Sequence, residues 1–370
     1  MKKIVALLLA VVMAASTTAC ASNSGTASSS QAASQAASQA ASSAASTAEA
    51  SSTASKKDFK VAMVTDTGGV NDQSFNQSSW EGLQQLKTDT GAEVSYTESK
   101  QESDYATNLD KAADGNNKLI WGIGFAMANA ITNAAKSNPD INYAIIDNAY
   151  DKTPSNVTGV VFRAQEPSFL VGYIAGKTTK TNKVGFVGGM HSAVIDQFEY
   201  GYKAGVDYAA KESKKKITVV TQYAESFSDA SKGKAIASSM YSGGCDIVFH
   251  AAGNVGTGVI NAAKEAKKLV IGVDKDQSYL APDYVLTSAM KLVNKAIEIV
   301  SKDAMDGKQI GGKTYAFGLT EDAVGIPTQH KLMSDDTYNA AMALEKKIKD
   351  KTITPPATKD DYAKFQATLK

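Results

Sequence analysis

The stretch Lys60-Val-Ala-Met-Val-Thr-Asp-Thr-Gly-Gly-Val-Asn-Asp-Gln-Ser-Phe-Asn-Gln-Ser-Ser-Trp80 decides the fold. Residues 61–64 form a continuous apolar run, which is typical of a strand buried on both faces of a parallel sheet. The apolar residues Trp80, Leu83 and Leu86 then recur at helical spacing. The stretch therefore predicts a strand, a polar loop and a helix in that order.

The polar loop is the first candidate ligand site. In open α/β sheets, ligands bind beyond the carboxyl ends of the strands, and the loop places Asp66, Asn71, Asp72 and Phe75 there. Two carboxylates, an amide and an aromatic ring suit a ligand that has hydroxyl groups and a flat apolar face. Asp72 is equally well placed to cap the helix that follows, and the two roles are compatible.

The first residues indicate export. Two lysines, an apolar run over 4–15 and a series of small residues up to Cys20 predict a secretory signal, which is too short for a permanent membrane span. A cysteine directly after Ala19 indicates a bacterial lipobox, in which Cys20 is lipidated. Thr17 stands where an aliphatic residue is usual, so ordinary cleavage near Ala19 or Ala21 remains an alternative.

The composition narrows the function classes. Residues 21–57 are almost entirely Ala, Ser, Thr and Gln, which predicts a flexible tether. Lys plus Arg number 39 against 38 for Asp plus Glu, so nothing indicates nucleic-acid binding. Beside Cys20 the only cysteine is Cys245, which we expect to be buried in the monomer. The three histidines have no metal-ligand spacing, and no cofactor or metal is predicted.

Strand and helix patterns alternate through the remaining chain, which predicts two α/β lobes with doubly wound parallel sheets. A first series of strands runs to residue 162, and a second series starts again near residue 184. We expect the chain to return to the first lobe at the strand and helix after residue 284. The predicted organisation is a signal peptide at 1–20, a tether at 21–57, lobe one at 58–162 and 285–325, and lobe two at 163–284 and 326–370.

Polar residues and glycines follow the strands in both lobes. Asp147 follows a strand of the first series, and Gly253 and Asp274 follow strands of the second. Asp147 more simply orients its own loop. Two facing sets of loops predict a ligand held between the lobes.

Four separated strings resemble the basic membrane protein family, the lipoprotein purine-nucleoside receptors of ABC importers. They are Val-Thr-Asp-Thr-Gly-Gly-Val-Asn-Asp-Gln-Ser-Phe-Asn-Gln at 64–77, Phe-Arg-Ala-Gln-Glu-Pro-Ser-Phe-Leu-Val-Gly-Tyr-Ile-Ala-Gly at 162–176, Val-Gly-Phe-Val-Gly-Gly-Met at 184–190 and Ile-Gly-Val-Asp-Lys-Asp-Gln at 271–277. The resemblance covers roughly residues 60–327. It implies a type I periplasmic-binding-protein fold, with two hinged lobes joined by three crossovers. It also implies capture of purine nucleosides (guanosine, inosine, adenosine) for a membrane permease.

The resemblance also implies roles for single residues. Asp66 and Phe75 would contact the base, with Asn71 or Asp72 beside them, and Phe227 would cover the other face of the base. Asp274 would hold the ribose. Gly253 and Lys291 would line the sugar end, and Met190 would line the cavity wall.

The resulting hypothesis is a monomeric, extracytoplasmic receptor that is lipid-anchored to the cell membrane and is not an enzyme. A receptor for a sugar or autoinducer with the same fold is one alternative. A secreted nucleoside hydrolase is another, although that chemistry commonly uses an aspartate cluster on calcium, and no Asp-rich run follows the first strand.

Overall fold

The computed structural model of the protein describes residues 58–369. The predicted signal peptide, Cys20 and the predicted tether lie outside this range. Twelve strands are described within it: β1 Lys60–Val64, β2 Glu93–Thr97, β3 Leu119–Ile123, β4 Asn142–Ile146, β5 Val157–Phe162, β6 Lys183–Gly188, β7 Thr218–Tyr223, β8 Ile247–Ala251, β9 Leu269–Asp274, β10 Val285–Lys291, β11 Lys313–Phe317 and β12 Val324–Gly325.

Ten α-helices alternate with these strands in the described range. They are α1 Phe75–Thr90, α2 Asp104–Asp114, α3 Ala128–Ser137, α4 Gln165–Thr178, α5 Ala193–Ser213, α6 Ala230–Ser242, α7 Val255–Ala266, α8 Val293–Met305, α9 Asp335–Lys349 and α10 Lys359–Thr368. None of them combines the length and the apolar character that a membrane span requires.

The strands form two six-stranded sheets of the same design. The first has the order β11-β5-β4-β3-β1-β2, and the second has the order β12-β10-β9-β8-β6-β7. Every pairing is parallel except that of β10 with the short β12. The central strands β3 and β8 are buried at every residue, as expected for sheets that are covered by helices on both faces.

The first lobe contains the first sheet, and the second lobe contains the second sheet. The chain passes between them after β5, after β10 and again before β12. Helix α8 returns to the first lobe, where it packs against α1, whereas α9 packs against α4 and α10 against α5 in the second lobe.

The predicted assignment of residues 285–325 to the first lobe is wrong for two strands, β10 and β12. Val285–Lys291 pairs in parallel with β9, and Val324–Gly325 pairs with β10, so both belong to the second sheet. The crossing therefore falls between Lys291 and Val293. Local apolar patterning shows that a strand exists, but the sheet to which it belongs depends on a partner distant in sequence.

Glycines in α4 and α5 explain why these two helices pack so closely. A Cβ atom at Gly172 would lie 2.2 Å from the carbonyl oxygen of Tyr202, and one at Gly205 would lie 2.0 Å from that of Phe169. Since such contacts are impossible for a side chain, both positions require glycine. The glycines of the string at 162–176 thus serve helix packing in the second lobe.

Candidate functional site

The loops at the carboxyl ends of the strands of both sheets enclose one cavity between the lobes. The space between the protein atoms, measured out to the open mouth of the cavity, is about 490 Å³. Its lining consists of Asp66, Gly68, Asp72, Phe75, Asn76, Phe125, Asp147, Val194, Ile195, Phe198, Phe227, Ala251, Ala252, Gly253, Val273, Asp274 and Lys291.

Asp66 lies just beyond β1, and two donors from its own loop hold its carboxylate in place. The backbone N–H of Gly68 and the side-chain amide of Asn76 both donate to Oδ1, each at 2.8 Å. Loss of water around the carboxyl raises the pKa of Asp66 to about 6, and these two hydrogen bonds oppose that rise. Both donors reach Oδ1, which leaves Oδ2 as a further acceptor.

Asp72 caps helix α1. Its carboxylate accepts hydrogen bonds from the backbone N–H groups of Ser74, Asn76 and Gln77 at 2.8 to 3.1 Å. N–H groups at the start of a helix have no carbonyl acceptor within the helix, and here the carboxylate of Asp72 is their acceptor. Asp72 is fully buried, and burial raises the pKa of its carboxyl. The capping role expected from the sequence is present, and Asp72 also lines the cavity.

Asp274 ends β9 in the second lobe and reaches across to the first. The hydroxyl of Ser74 donates to its Oδ2 at 2.5 Å, and Asp274 is buried, with 5% of its surface exposed. Burial raises the pKa of Asp274 to about 6, and the nearby ammonium of Lys291 opposes this rise.

Lys291 ends β10 and is nearly excluded from water. Its ammonium lies 2.6 Å from Oδ2 of Asp147 and faces the rings of Phe75, Phe162 and Phe198 at 4.5, 5.4 and 5.8 Å from their centroids. The residue therefore combines a buried ion pair with cation–π contacts. The sequence analysis favoured a loop-orienting role for Asp147, whereas the structure pairs it with this lysine.

Asp147 and Asp274 occupy equivalent places in the two lobes. Asp147 follows β4 and Asp274 ends β9, and these strands hold the same position in the two sheet orders. Both residues have a left-handed backbone, with φ of 66° and 64°. Left-handed φ is uncommon for residues other than glycine, and such conformations cluster at functional sites.

Aromatic rings line the cavity from both lobes. Phe75 and Phe125 come from the first lobe and Phe227 from the second, and Phe227 meets Phe125 edge to face at 6.4 Å between centroids. Two glycines make room for Phe227. A Cβ atom at Gly189 would lie 2.2 Å from its ring, and Gly253 has φ of +56° beside its backbone.

Eight of the ten residues predicted to bind ligand line the cavity. Asn71 does not line the cavity and is exposed. Met190 does not line it either, but contributes to a smaller neighbouring space. Sequence reasoning missed Asn76 and the apolar face of α5, which adds Val194, Ile195 and Phe198.

The chain belongs to the Bmp family, described as ABC transporter substrate-binding protein PnrA-like, whose model matches residues 59–359. The family resemblance found in the sequence is thereby confirmed. The protein is a substrate-binding protein of the ABC-transporter class, and its homologues are described as binding proteins and not as enzymes.

Two curated relatives illustrate the similarity. Basic membrane protein A of Borreliella burgdorferi is 42% identical over 311 residues, which cover 83% of this chain and 90% of the relative. The ABC transporter nucleoside-binding protein BmpA of Lactococcus lactis subsp. cremoris is 43% identical over 325 residues, with 82% and 90% covered.

Solved structures confirm the predicted fold class. A solute-binding protein of an ABC transporter system from Aeropyrum pernix K1 superposes with a TM-score of 0.76 at 26% identity, covering 84% of this chain and 97% of that one. One from Conexibacter woesei superposes with a TM-score of 0.64 at 20% identity, covering 81% and 99%. The latter likeness concerns the fold alone.

Proposed function

We propose that the protein captures purine nucleosides such as guanosine, inosine and adenosine between its lobes and delivers them to a membrane permease. One observation carries the proposal. Asp66 and Phe75 of the first lobe and Phe227 and Asp274 of the second line the same cavity. The name of the Lactococcus relative, a nucleoside-binding protein, supports it.

These residue types suit the two halves of a nucleoside. Aromatic rings provide faces for a flat base, and stacking of a base on a ring contributes about 1–3 kcal/mol in nucleic-acid binding. In the proposed pose Asp66 accepts from the N–H groups on the edge of the base. Asp274 accepts from the two ribose hydroxyls, since one carboxylate serves vicinal hydroxyls well.

The charge of the cavity favours nucleosides over nucleotides. Four carboxyl groups line it, from Asp66, Asp72, Asp147 and Asp274, against the single ammonium of Lys291. That ammonium is already paired with Asp147. A phosphate would add negative charge without a free cation in the cavity lining to receive it, so the proposed ligand ends at the ribose.

The proposal includes the location of the protein. Substrate-binding proteins of ABC importers act outside the cytoplasm, and a lipid on Cys20 would hold this one at the membrane as a monomer. Replacement of Cys20 by serine should then release the protein into the medium or periplasm of the producing cell. Retention at the membrane would contradict lipid anchoring at this residue.

Isothermal calorimetry tests the proposed ligand. The purified protein is titrated with adenosine, guanosine, inosine and free ribose. We expect micromolar or tighter binding of at least one purine nucleoside and much weaker binding of ribose. Binding of ribose as tight as that of inosine would favour a sugar receptor, and the absence of heat with every nucleoside would defeat the proposal.

A further inference from the structure

A second, smaller chamber adjoins the main cavity on the side of Asp66. The space between the protein atoms in this chamber, measured out to its open mouth, is about 330 Å³. Asp66, Phe125 and Phe227 line both spaces, whereas Met190 and Ala126 line only the smaller one. The two spaces therefore meet at the carboxylate that the proposed function assigns to the edge of the base.

The free oxygen of Asp66 faces the junction of the two spaces. Its Oδ1 accepts from Gly68 and Asn76, which line the main cavity. Its Oδ2 lies 3.3 Å from the position that a Cβ atom of Gly124 would take, and Gly124 lines the smaller chamber. A donor on the ligand that meets Oδ2 therefore lies at the mouth of this chamber.

Beyond Asp66 the lining of the chamber is mostly apolar or uncharged. Met190, Phe125 and Ala126 supply apolar surface. Tyr105 is a buried residue of this wall, and burial raises the pKa of its phenol, so that the hydroxyl stays neutral. Glu102 is exposed and lies toward solvent. Such walls suit a small alkyl group better than a charged one.

We propose that this side chamber holds an alkyl substituent on the exocyclic amino nitrogen of the base, so that the protein binds mono-N-alkylated purine nucleosides together with the unmodified ones. The inference rests on the proposed function, because it assumes that the base edge meets Asp66. A monoalkylated amine keeps one N–H for Oδ2 while its alkyl group points away into the chamber. A dialkylated amine keeps none.

Calorimetry with matched ligands tests the proposal. The purified protein is titrated with adenosine, N6-methyladenosine and N6,N6-dimethyladenosine, and with guanosine, N2-methylguanosine and N2,N2-dimethylguanosine. For each parent nucleoside, adenosine or guanosine, that binds, we expect the affinity of the monomethyl form to be within tenfold of the affinity of the parent. The dimethyl form should bind at least tenfold more weakly than the monomethyl form, because the hydrogen bond to a charged acceptor is lost.

A variant that fills the chamber provides the second arm. Ala126 is an exposed residue that lines the smaller chamber and not the main cavity, and Ala126→Leu enlarges the side chain at this wall. The variant should weaken the monomethyl ligand at least tenfold and change the parent by less than about threefold. Ala106→Leu is the matched control, because Ala106 is an exposed alanine of the same lobe outside both linings, and it should change neither affinity.

The outcomes separate the inference from the proposed function. If no nucleoside binds, the proposed function fails and the inference fails with it. If a parent binds but its monomethyl form binds more than tenfold more weakly, the function stands and the inference is overturned. Three further results would also overturn the inference. They are binding of inosine alone, equal affinities for the monomethyl and dimethyl forms, and an Ala126→Leu variant that does not weaken the monomethyl form more than the parent.

Discussion

The ammonium group of Lys291 and the carboxylate of Asp147 lie 2.6 Å apart and join the two lobes. Lys291 ends β10 in the second lobe, and Asp147 follows β4 in the first. Their side chains are only 3% and 8% exposed. Removing one partner of such a pair leaves the other charge buried and uncompensated, which is far more costly than replacing both partners.

Replacing Lys291 by methionine should therefore destabilise the unliganded protein by about 3–5 kcal/mol. The double variant Lys291→Met/Asp147→Asn should lose clearly less stability than the single variant, because no uncompensated charge remains at position 147. The midpoint of urea unfolding provides the measurement. Lys234→Met, which breaks an exposed pair with Glu265, is the control and should change the midpoint little. Equal losses for the single and double variants would contradict this view of the pair.

Nucleoside affinity should fall as the pH falls through 6. Burial raises the pKa of Asp66 and of Asp274 to about 6, so both groups bind protons between pH 6 and pH 4, where an unperturbed aspartate is still ionised. A protonated carboxyl accepts poorly from ligand N–H and O–H groups. One pH unit below the pKa, each required carboxylate is ionised in only about one molecule in ten, so affinity should drop roughly tenfold per group.

The same shifts have the opposite sign for the stability of the unliganded fold. Because the folded state binds more protons than the unfolded chain between about pH 4 and pH 6, the free energy of unfolding decreases as the pH rises through this window.

Calorimetric titrations of the nucleoside from pH 5 to pH 8 check the predicted pH dependence of binding, with the Asp66→Asn variant as the comparison. The affinity of the Asp66→Asn variant should depend less steeply on pH. An unchanged slope would mean that groups other than Asp66 cause the pH dependence.

Much of the fold could be predicted because its signals are local. Continuous apolar runs marked the buried strands, and their alternation with helical spacing predicted two α/β lobes. The sheet membership of β10 could not be predicted in this way. Its seven residues have the composition of any buried strand, and only pairing with β9, whose position follows from the whole sheet order, assigns it to the second lobe.

Residues of the cavity lining could be predicted from the sequence where they follow directly from the topology of the sheets. Asp66 and Asp274 stand at strand ends, where parallel sheets place their ligands. The face of α5 was missed because Ile195 and Phe198 have the same apolar spacing as core residues, and sequence does not distinguish a cavity wall from a core. Asn71 is exposed and absent from the cavity lining, although it lies next to Asp72, because the position of a side chain in an irregular loop is not determined by the apolar pattern of the strand and helix beside it.

Phe227 should contribute stacking energy to nucleoside binding. Phe227→Ala should weaken binding by about 1–3 kcal/mol, the range found for stacking of a base on an aromatic ring. Gly189→Ala should also weaken it, since the new Cβ would lie 2.2 Å from the ring of Phe227 and displace it. Gly325→Ala is a matched control, because its Cβ would meet nothing within 4 Å. Affinity that survives both cleft variants would rule out stacking on Phe227.

Arg163 is the single arginine of the chain, among 39 basic residues, and it lies where the first and third crossovers meet. Its Nε donates to Glu166 at 2.8 Å and its Nη2 to Glu321, while its backbone N–H donates to Phe317 at 2.8 Å. Glu166 in turn accepts from the backbone N–H of Leu319 at 2.7 Å. The planar fork of a guanidinium serves two carboxylates in fixed directions, which a lysine does not.

Arg163→Lys should therefore lower the free energy of unfolding by about 1–3 kcal/mol through lost charge-assisted hydrogen bonds. Glu166→Gln should destabilise more than Glu321→Gln, because the side chain of Glu166 is 11% exposed against 39% for Glu321, and solvent screens the latter. Urea unfolding of the three variants measures this order. A larger loss for Glu321→Gln would show that the outer half of the network, and not the buried half, holds the crossovers together.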